Sequence, residues 1–203
     1  MSEGYIKFNC IWTQEEFHFQ EELYFQLEAA RSELHRSGLI GRYENGIGFG
    51  NLSVKNGLRN EFIISGSATG GLEYLRKSDY SLVTNYEIDQ NILYCCGLTQ
   101  ASSESLTHAA VYESLPEIKS VVHVHCGWLW EKLRNVYPTT PDDIEYGTPK
   151  MAYAVGTIAK EIRNEKQKII IMGGHPEGML SFGDNLKEAC TQIINSYNRY
   201  KHD

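Results

Sequence analysis

Residues 102–125 read SSESLTHAAVYESLPEIKSVVHVH: a helix start, a proline stop, and a short β-branched strand that ends in histidines. Ser102 or Ser103 can cap a helix that runs to Leu115 and ends at Pro116. Glu104 falls in the first turn, where the free amides favour negative charge. His108 lies four residues on, along the same helix face; a packed, hydrogen-bonded role suits it. The strand Val121–His125 alternates, so His123 and His125 project to one side while Val122 and Val124 project to the other. Two imidazoles side by side at a strand end form a clamp for a metal ion. Each piece also has a plainer reading. Ser-Ser-Glu is ordinary helix capping, and paired histidines can be satisfied by hydrogen bonds in a core.

The rest of the chain supplies comparable fragments. Thr13 and Glu16 read as a capping box. Leu23, Leu27, Ala30 and Leu34 then predict an amphipathic helix of about six turns, stopped at Gly38. Ile47–Val54 is extended, Asn56-Gly57 is a two-residue turn signal, and Glu61–Ser65 returns as a strand before the glycine-rich loop 66–71. Ser81–Ile88 and Asn91–Cys96 pair around Asp89-Gln90. A helical piece spans Trp128–Leu133, and Tyr137–Tyr146 is irregular. Pro149 opens a helix. Lys168–Met172 is a buried strand with a partner at Met179–Phe182. Asn185–Tyr200 closes the chain with Leu186, Ala189, Ile193 and Tyr197 turned inward. Strands in hairpins between helices predict a largely antiparallel sheet covered by helices. His175 follows the buried strand and Gly173-Gly174, which permit a tight turn or a close approach. The end of a strand is a common place for a functional side chain.

A chain of 203 residues suits one domain that hides roughly 70% of its unfolded surface, so 1–203 is read as a single domain. A net charge of −7 argues against a general nucleic-acid binder, which needs a basic face. It leaves room for an anionic small substrate held by N–H and hydroxyl donors. The five cysteines form no paired framework and read as reduced thiols in a cytosol. Met1–Asn9 shows no basic start followed by an apolar run, so no signal peptide is expected, and no apolar stretch nears the ~20 residues needed to span a bilayer. A cytoplasmic protein without membrane or nucleic-acid partners is the expectation.

Taken in order, Gly50-Asn51-Leu52-Ser53, Ser65-Gly66, Ser102-Ser103-Glu104, His123-Val124-His125 and His175 resemble the class II aldolase/adducin family, over roughly Leu23–Tyr197. His108, Tyr112, Pro116 and Tyr146-Gly147-Thr148-Pro149 also fit the family's habit. The resemblance implies an α/β/α sandwich with a central, mainly antiparallel sheet. It implies zinc, or another divalent transition ion, held by His123, His125 and His175. Glu104 would be a fourth ligand and the catalytic base, and a substrate phosphate would lie against Asn51, Ser65, Gly66, Ser102 and Ser103. The implied activity is cleavage of a ketose 1-phosphate to dihydroxyacetone phosphate and an aldehyde through a metal-stabilised enediolate. A homotetramer with sites at subunit interfaces is implied as well.

Two departures from the family pattern stand out. Ala101 replaces the usual proline before Ser-Ser-Glu. Pro176-Glu177 separates His175 from the glycine that usually follows at once, which brings Glu177 toward the site. Tyr137 and Tyr146 are placed by location as candidate proton donors, and Trp128 and Trp130 suit packing better than an aldehyde pocket. The same metal set would serve a sugar-phosphate 4-epimerase or a dehydratase. A non-enzymatic adducin-like binding module is the reading from another class; retention of three histidines and Glu104 speaks against it.

Overall fold

Three consecutive isoleucines, 169–171, have no exposed surface. Ile170 packs into one hydrophobic layer, while Ile169 and Ile171 pack into another. A strand apolar on both faces needs cover on both faces, and that requirement organises the molecule. The computed structural model of the chain describes residues 6–57 and 60–201. Its elements run β1 (Asn9–Thr13), α1 (Glu21–Arg36), β2 (Gly41–Arg42), β3 (Gly48–Phe49), β4 (Asn51–Lys55) and β5 (Phe62–Ser65). A 3-10 turn at Lys77–Asp79 leads into β6 (Tyr80–Glu87), β7 (Ile92–Cys96), α2 (Ser105–Ser114), β8 (Ser120–His125) and α3 (Gly127–Leu133). The chain ends with α4 (Pro149–Glu161), β9 (Ile169–Ile171), β10 (Gly178–Gly183) and α5 (Leu186–Tyr200).

One sheet has the order β1-β7-β6-β5-β4-β8-β10-β9. Every pairing in it is antiparallel except β1 with β7. Helices α2 and α4 bury Leu106, Ala110, Met151, Val155 and Ala159 on one face. Helices α1, α3 and α5 bury Leu27, Leu34, Leu129, Ala189 and Ile193 on the other. At about 1.5–3 kcal/mol for each large apolar side chain, these two layers account for the fold. The expected α/β/α sandwich around a mainly antiparallel sheet is what the chain forms. No helix among the described residues is long and apolar enough to cross a membrane.

The outer edge of β9 is covered by an irregular segment. Ile171 N donates to Pro138 O and Thr140 N donates to Ile171 O, both at 2.9 Å. This satisfies the edge amide and carbonyl of Ile171, which would otherwise invite another strand.

Three local expectations need correction. Thr13 does not start a helix: it is the last residue of β1 and pairs with Cys96. The β-prone run Asn-Cys-Ile-Trp-Thr joins the sheet edge, and the local capping signal loses to that pairing. Helix α1 begins at Glu21 instead, without a side-chain cap. Asn56-Gly57 is not a two-residue hairpin turn, because Lys55 pairs with Phe62 and Asn56 N donates to Glu61 O. Helix α2 starts at Ser105, with Glu104 as its N-cap residue.

Candidate metal centre

Strand β8 sets the centre. Its register places His123 between Asn51 of β4 and Leu180 of β10, and His125 opposite Gly178. Val122 and Val124 point into the α1/α5 layer, so both histidines face the α2 side, as the alternation predicts. Their ring centroids lie 4.8 Å apart, and His175 lies 5.1 Å from His123 and 4.8 Å from His125. One ligand atom from each falls within 4.8 Å of the others, and all three residues are buried.

His175 reaches this position through close backbone packing. A Cβ on Gly173 would come 2.1 Å from Thr140 O, and one on Gly174 would come 1.8 Å from Ile144 O. Neither glycine has a positive φ. Of the two roles open to them, close approach is the one used. The segment 140–144 docks against these glycines, and Thr140 Oγ1 accepts from Gly173 N at 2.9 Å. Just beyond it, the ring of Tyr146 stacks on His175 at 4.2 Å. Lys7 Nζ lies 3.6 Å from the centroid of the Tyr146 ring. Gly178 completes the room for the imidazoles: a Cβ there would stand 3.0 Å from His175 Cγ and 3.1 Å from His123 Cε1.

Glu104 closes the site from the start of α2. Thr107 Oγ1 donates to its Oε2 at 2.8 Å, and its Oε1 lies 3.9 Å from His175 Nδ1. At 2% exposure Glu104 is shut off from bulk water. Burial, then the neighbouring His125 and His175, hold the pKa of His123 well below the ordinary histidine value. The neutral imidazole this favours is the form that binds a metal.

The nitrogens themselves test whether a cation fits. His123 Nδ1 lies 3.1 Å from Met179 O. A carbonyl only accepts, so that nitrogen carries the proton and Nε2 presents a lone pair. His125 Nε2 sits 2.9 Å from His123 Nε2. Converging imidazole nitrogens at this spacing, beside a third histidine and a carboxylate, match the donor set that zinc prefers. The residues fit a divalent transition ion.

His108 lies outside this group. Its Nδ1 meets Ser53 Oγ at 2.7 Å, and the same Oγ meets Tyr112 OH at 2.8 Å. Full burial lowers its pKa to about 3. The packed, hydrogen-bonded role anticipated for it is the one it has.

Beside the centre lies a small polar cleft lined by Asn51, Gly66, Ser67, Thr69, Gly70, Ser102 and Ser103, among others. Asn51 Oδ1 is buried there with no hydrogen-bond partner among the described residues. Ser65 stands apart from the lining, since its Oγ accepts from Leu52 N at 3.3 Å. The loop that forms the cleft is held from behind by Arg31. Arg31 is 1% exposed, and its guanidinium donates to the carbonyls of Thr69, Gly70, Leu72 and Glu73. Nothing in the periodicity of α1 singled out Arg31; a cation on the inward stripe of an amphipathic helix was the available signal.

Other expected neighbours divide. Tyr146 is at the site, whereas Tyr137 turns its hydroxyl to Gln167 and Ser196. Trp130 donates to Met172 O at 3.0 Å, a packing role, whereas Trp128 lies 5.5 Å from the Tyr197 ring and stays exposed. Glu177 does come to the site, through Tyr43: the Tyr43 hydroxyl lies 2.7 Å from Glu177 Oε2 and 2.8 Å from His125 Nδ1. Tyr43 was not anticipated.

A large, mainly antiparallel sheet between helical layers, with three buried histidines and a glutamate at one end of its central strands, defines a class of metal-site α/β protein. Residues 29–198 match the Class II Aldolase and Adducin N-terminal domain family, and the chain belongs to it. Among solved structures, an L-fuculose 1-phosphate aldolase is similar over 91% of this chain and 87% of its own, with 19% identity and a TM-score of 0.67. The L-fuculose-1-phosphate aldolase of Thermus thermophilus matches 88% of this chain and 91% of its own, at 18% identity and a TM-score of 0.64. The YgbL protein of Klebsiella pneumoniae, whose assignment is left among aldolase, epimerase and decarboxylase, matches 92% and 91%, at 17% identity and 0.64. No curated protein matches the sequence significantly.

Proposed function

We propose that this chain is a zinc-dependent sugar-phosphate aldolase. In this reading it cleaves a ketose 1-phosphate to dihydroxyacetone phosphate and an aldehyde. The observation that carries the reading is the convergence of three buried imidazoles and Glu104 beside a cleft built of small polar residues. His123, His125 and His175 would hold the ion with Glu104 as a fourth ligand. When bound, the ion supplies Lewis acidity toward a substrate carbonyl and its adjacent hydroxyl.

The chain's own residues do the rest. Asn51, Gly66, Ser102 and Ser103 line a cleft next to the start of α2, where free helix amides suit a phosphate. Ser65 supports that cleft through Leu52 N. Anchoring the phosphate fixes the reacting end of the substrate over the histidines and supplies orientation. In cleavage, one proton leaves the hydroxyl that becomes the aldehyde and another reaches the carbon of the ketone fragment. Glu104, a buried carboxylate, would move the proton at that carbon, as the acid once protonated in cleavage and as the base in the reverse condensation. The enzyme would work as a homotetramer in the cytoplasm.

The test is metal content of untagged protein, beside a His123→Ala, His125→Ala double variant, followed by coupled detection of dihydroxyacetone phosphate from ketose 1-phosphates. About one zinc per chain, lost in the variant, with product formed, is expected. No metal uptake on adding zinc would sink the mechanism. Zinc without dihydroxyacetone phosphate would shift the reading to an epimerase or dehydratase on the same centre.

A further inference from the structure

The β2–β3 hairpin carries Tyr43 to the outer side of the histidine cluster. Tyr43 N donates to Ile47 O and Gly46 N donates to Tyr43 O, both at 2.9 Å, so the turn is closed on itself. The Phe49 ring packs against Tyr43 at 4.5 Å and lies 5.6 Å from His125. Thus held, the Tyr43 hydroxyl meets His125 Nδ1 at 2.8 Å and donates to Glu177 Oε2 at 2.7 Å.

Glu177 is fixed as firmly. Its carbonyl accepts from Cys126 N at 3.1 Å, the residue directly after β8. Its side chain lies against Gly127, where a Cβ would approach Glu177 Oε1 to 3.2 Å. Its φ is +70°, a conformation that a side-chain-bearing residue holds only when the surroundings impose it. This is the Pro176-Glu177 stretch by which the chain departs from the family pattern.

A phenol has one proton and can donate it in one direction. Donated to the Glu177 carboxylate, it leaves an oxygen lone pair facing His125 Nδ1. That nitrogen must then carry a proton, and the ring's other lone pair stands on Nε2, toward His123 and His175. A carbonyl does the same for His123 with no ambiguity, because Met179 O only accepts. A tyrosine alone would not decide the matter, since it could equally donate to Nδ1 and favour the wrong tautomer. The carboxylate removes that choice.

We propose that Tyr43 and Glu177 act as a positioning pair that holds His125 in its metal-binding tautomer and so sets the affinity of the centre for its ion. This rests on the metal-centre reading above. The orientation of a ligating imidazole by a hydrogen bond on its far nitrogen is worth about 10–100-fold in metal affinity in general. Here the far partner is amphoteric, and its direction is imposed by a residue 134 positions away in the chain.

The experiment is a zinc titration of chelator-stripped protein against a chromophoric chelator, for the wild type, Tyr43→Phe, Glu177→Ala and the double variant. Each single change is expected to weaken zinc binding about 10–100-fold, and the double variant to bind no more weakly than the weaker single. Tyr43→Phe keeps the ring that packs on Phe49, and the unfolding midpoint of the zinc-free protein reports whether each variant is folded. Should Glu177→Ala lower that midpoint, Glu177→Met, which keeps the stem but offers no oxygen to accept from Tyr43, replaces it. An unchanged zinc Kd in either folded single variant, or losses that multiply in the double, would overturn the pair while leaving the metal centre standing. A wild type that takes up no zinc would overturn both.

Discussion

Replacing Arg31 with methionine should loosen the loop that builds the polar cleft beside the histidines. The guanidinium donates at 3.0 Å to Thr69 O and at 3.1 Å to Gly70 O and Glu73 O, and it also reaches Leu72 O. Hydrogen bonds from a charged donor contribute about 1.5–3 kcal/mol each, so the gross figure for four contacts is about 6–12 kcal/mol. Burying the cation offsets several kcal/mol of that. Burial also lowers the guanidinium pKa, with partial relief from Glu28. Methionine fills the stem volume but leaves the carbonyls unmatched. Leu72 and Tyr74 already stand in solvent, so the loop can hydrate those carbonyls by swinging outward. That escape caps the cost, and a loss of about 2–4 kcal/mol of unfolding free energy is expected. Urea unfolding would measure it, with hydrogen exchange on peptides spanning 66–75 to localise it. Arg31→Lys should recover less than half of the loss, because an ammonium cannot fork across four carbonyls. Zinc affinity should be unaffected in both, since Arg31 touches none of the histidines. A stability change below about 0.5 kcal/mol together with unchanged exchange in the loop would refute the reasoning.

Two further outcomes are expected. The zinc-free protein should lose stability as pH falls from 6.5 toward 3: His108 holds off protonation to about 3 when folded but titrates near 6.5 when unfolded. The unfolded state therefore binds more protons in that window, and each such buried histidine, His123 included, adds a slope of up to about 1.4 kcal/mol per pH unit; urea midpoints that stay flat between pH 6.5 and 5 would contradict it. Gly174→Ala puts a methyl group 1.8 Å from Ile144 O, which must drive segment 140–146 away and take Tyr146 off His175. A fall in unfolding free energy of at least about 1–3 kcal/mol and weaker zinc binding should follow, and calorimetry with a zinc titration that both match the wild type would show that the close packing is not needed.

What was legible in the chain was what local pattern can carry. The alternation of Val121–His125 assigns its two histidines to one face and its valines to the other, and the core layers agree. The same holds for Ile169–Ile171 and for the inward stripe of α5, where Leu186, Ala189 and Ile193 are buried. Local pattern failed where a longer contact overrode it. Thr13 and Glu16 have the residue types of a helix start, yet residues 9–13 gain a full parallel pairing with β7. Asn56-Gly57 has the composition of a tight turn, but the register Lys55 with Phe62 lengthens the connection.

The site shows the same division with sharper consequences. Ligand candidates could be read from spacing because chemistry restricts which side chains bind a cation and strand geometry restricts where they point. The residues that orient those ligands obey no such local rule. Tyr43 sits in a polar hairpin and Glu177 in a turn, and they reach His125 from opposite directions in the chain. Only the sheet register, which brings Gly178 opposite His125, makes them neighbours. The departure from the family pattern at Pro176-Glu177 was visible as an insertion, and insertions are usually tolerated as loop variation. Here the inserted acid is held in a left-handed backbone conformation and pinned by Cys126 N. Such constraint on a surface insertion would serve no purpose if it only lengthened a turn; it makes sense if the carboxylate must meet the tyrosine that faces His125.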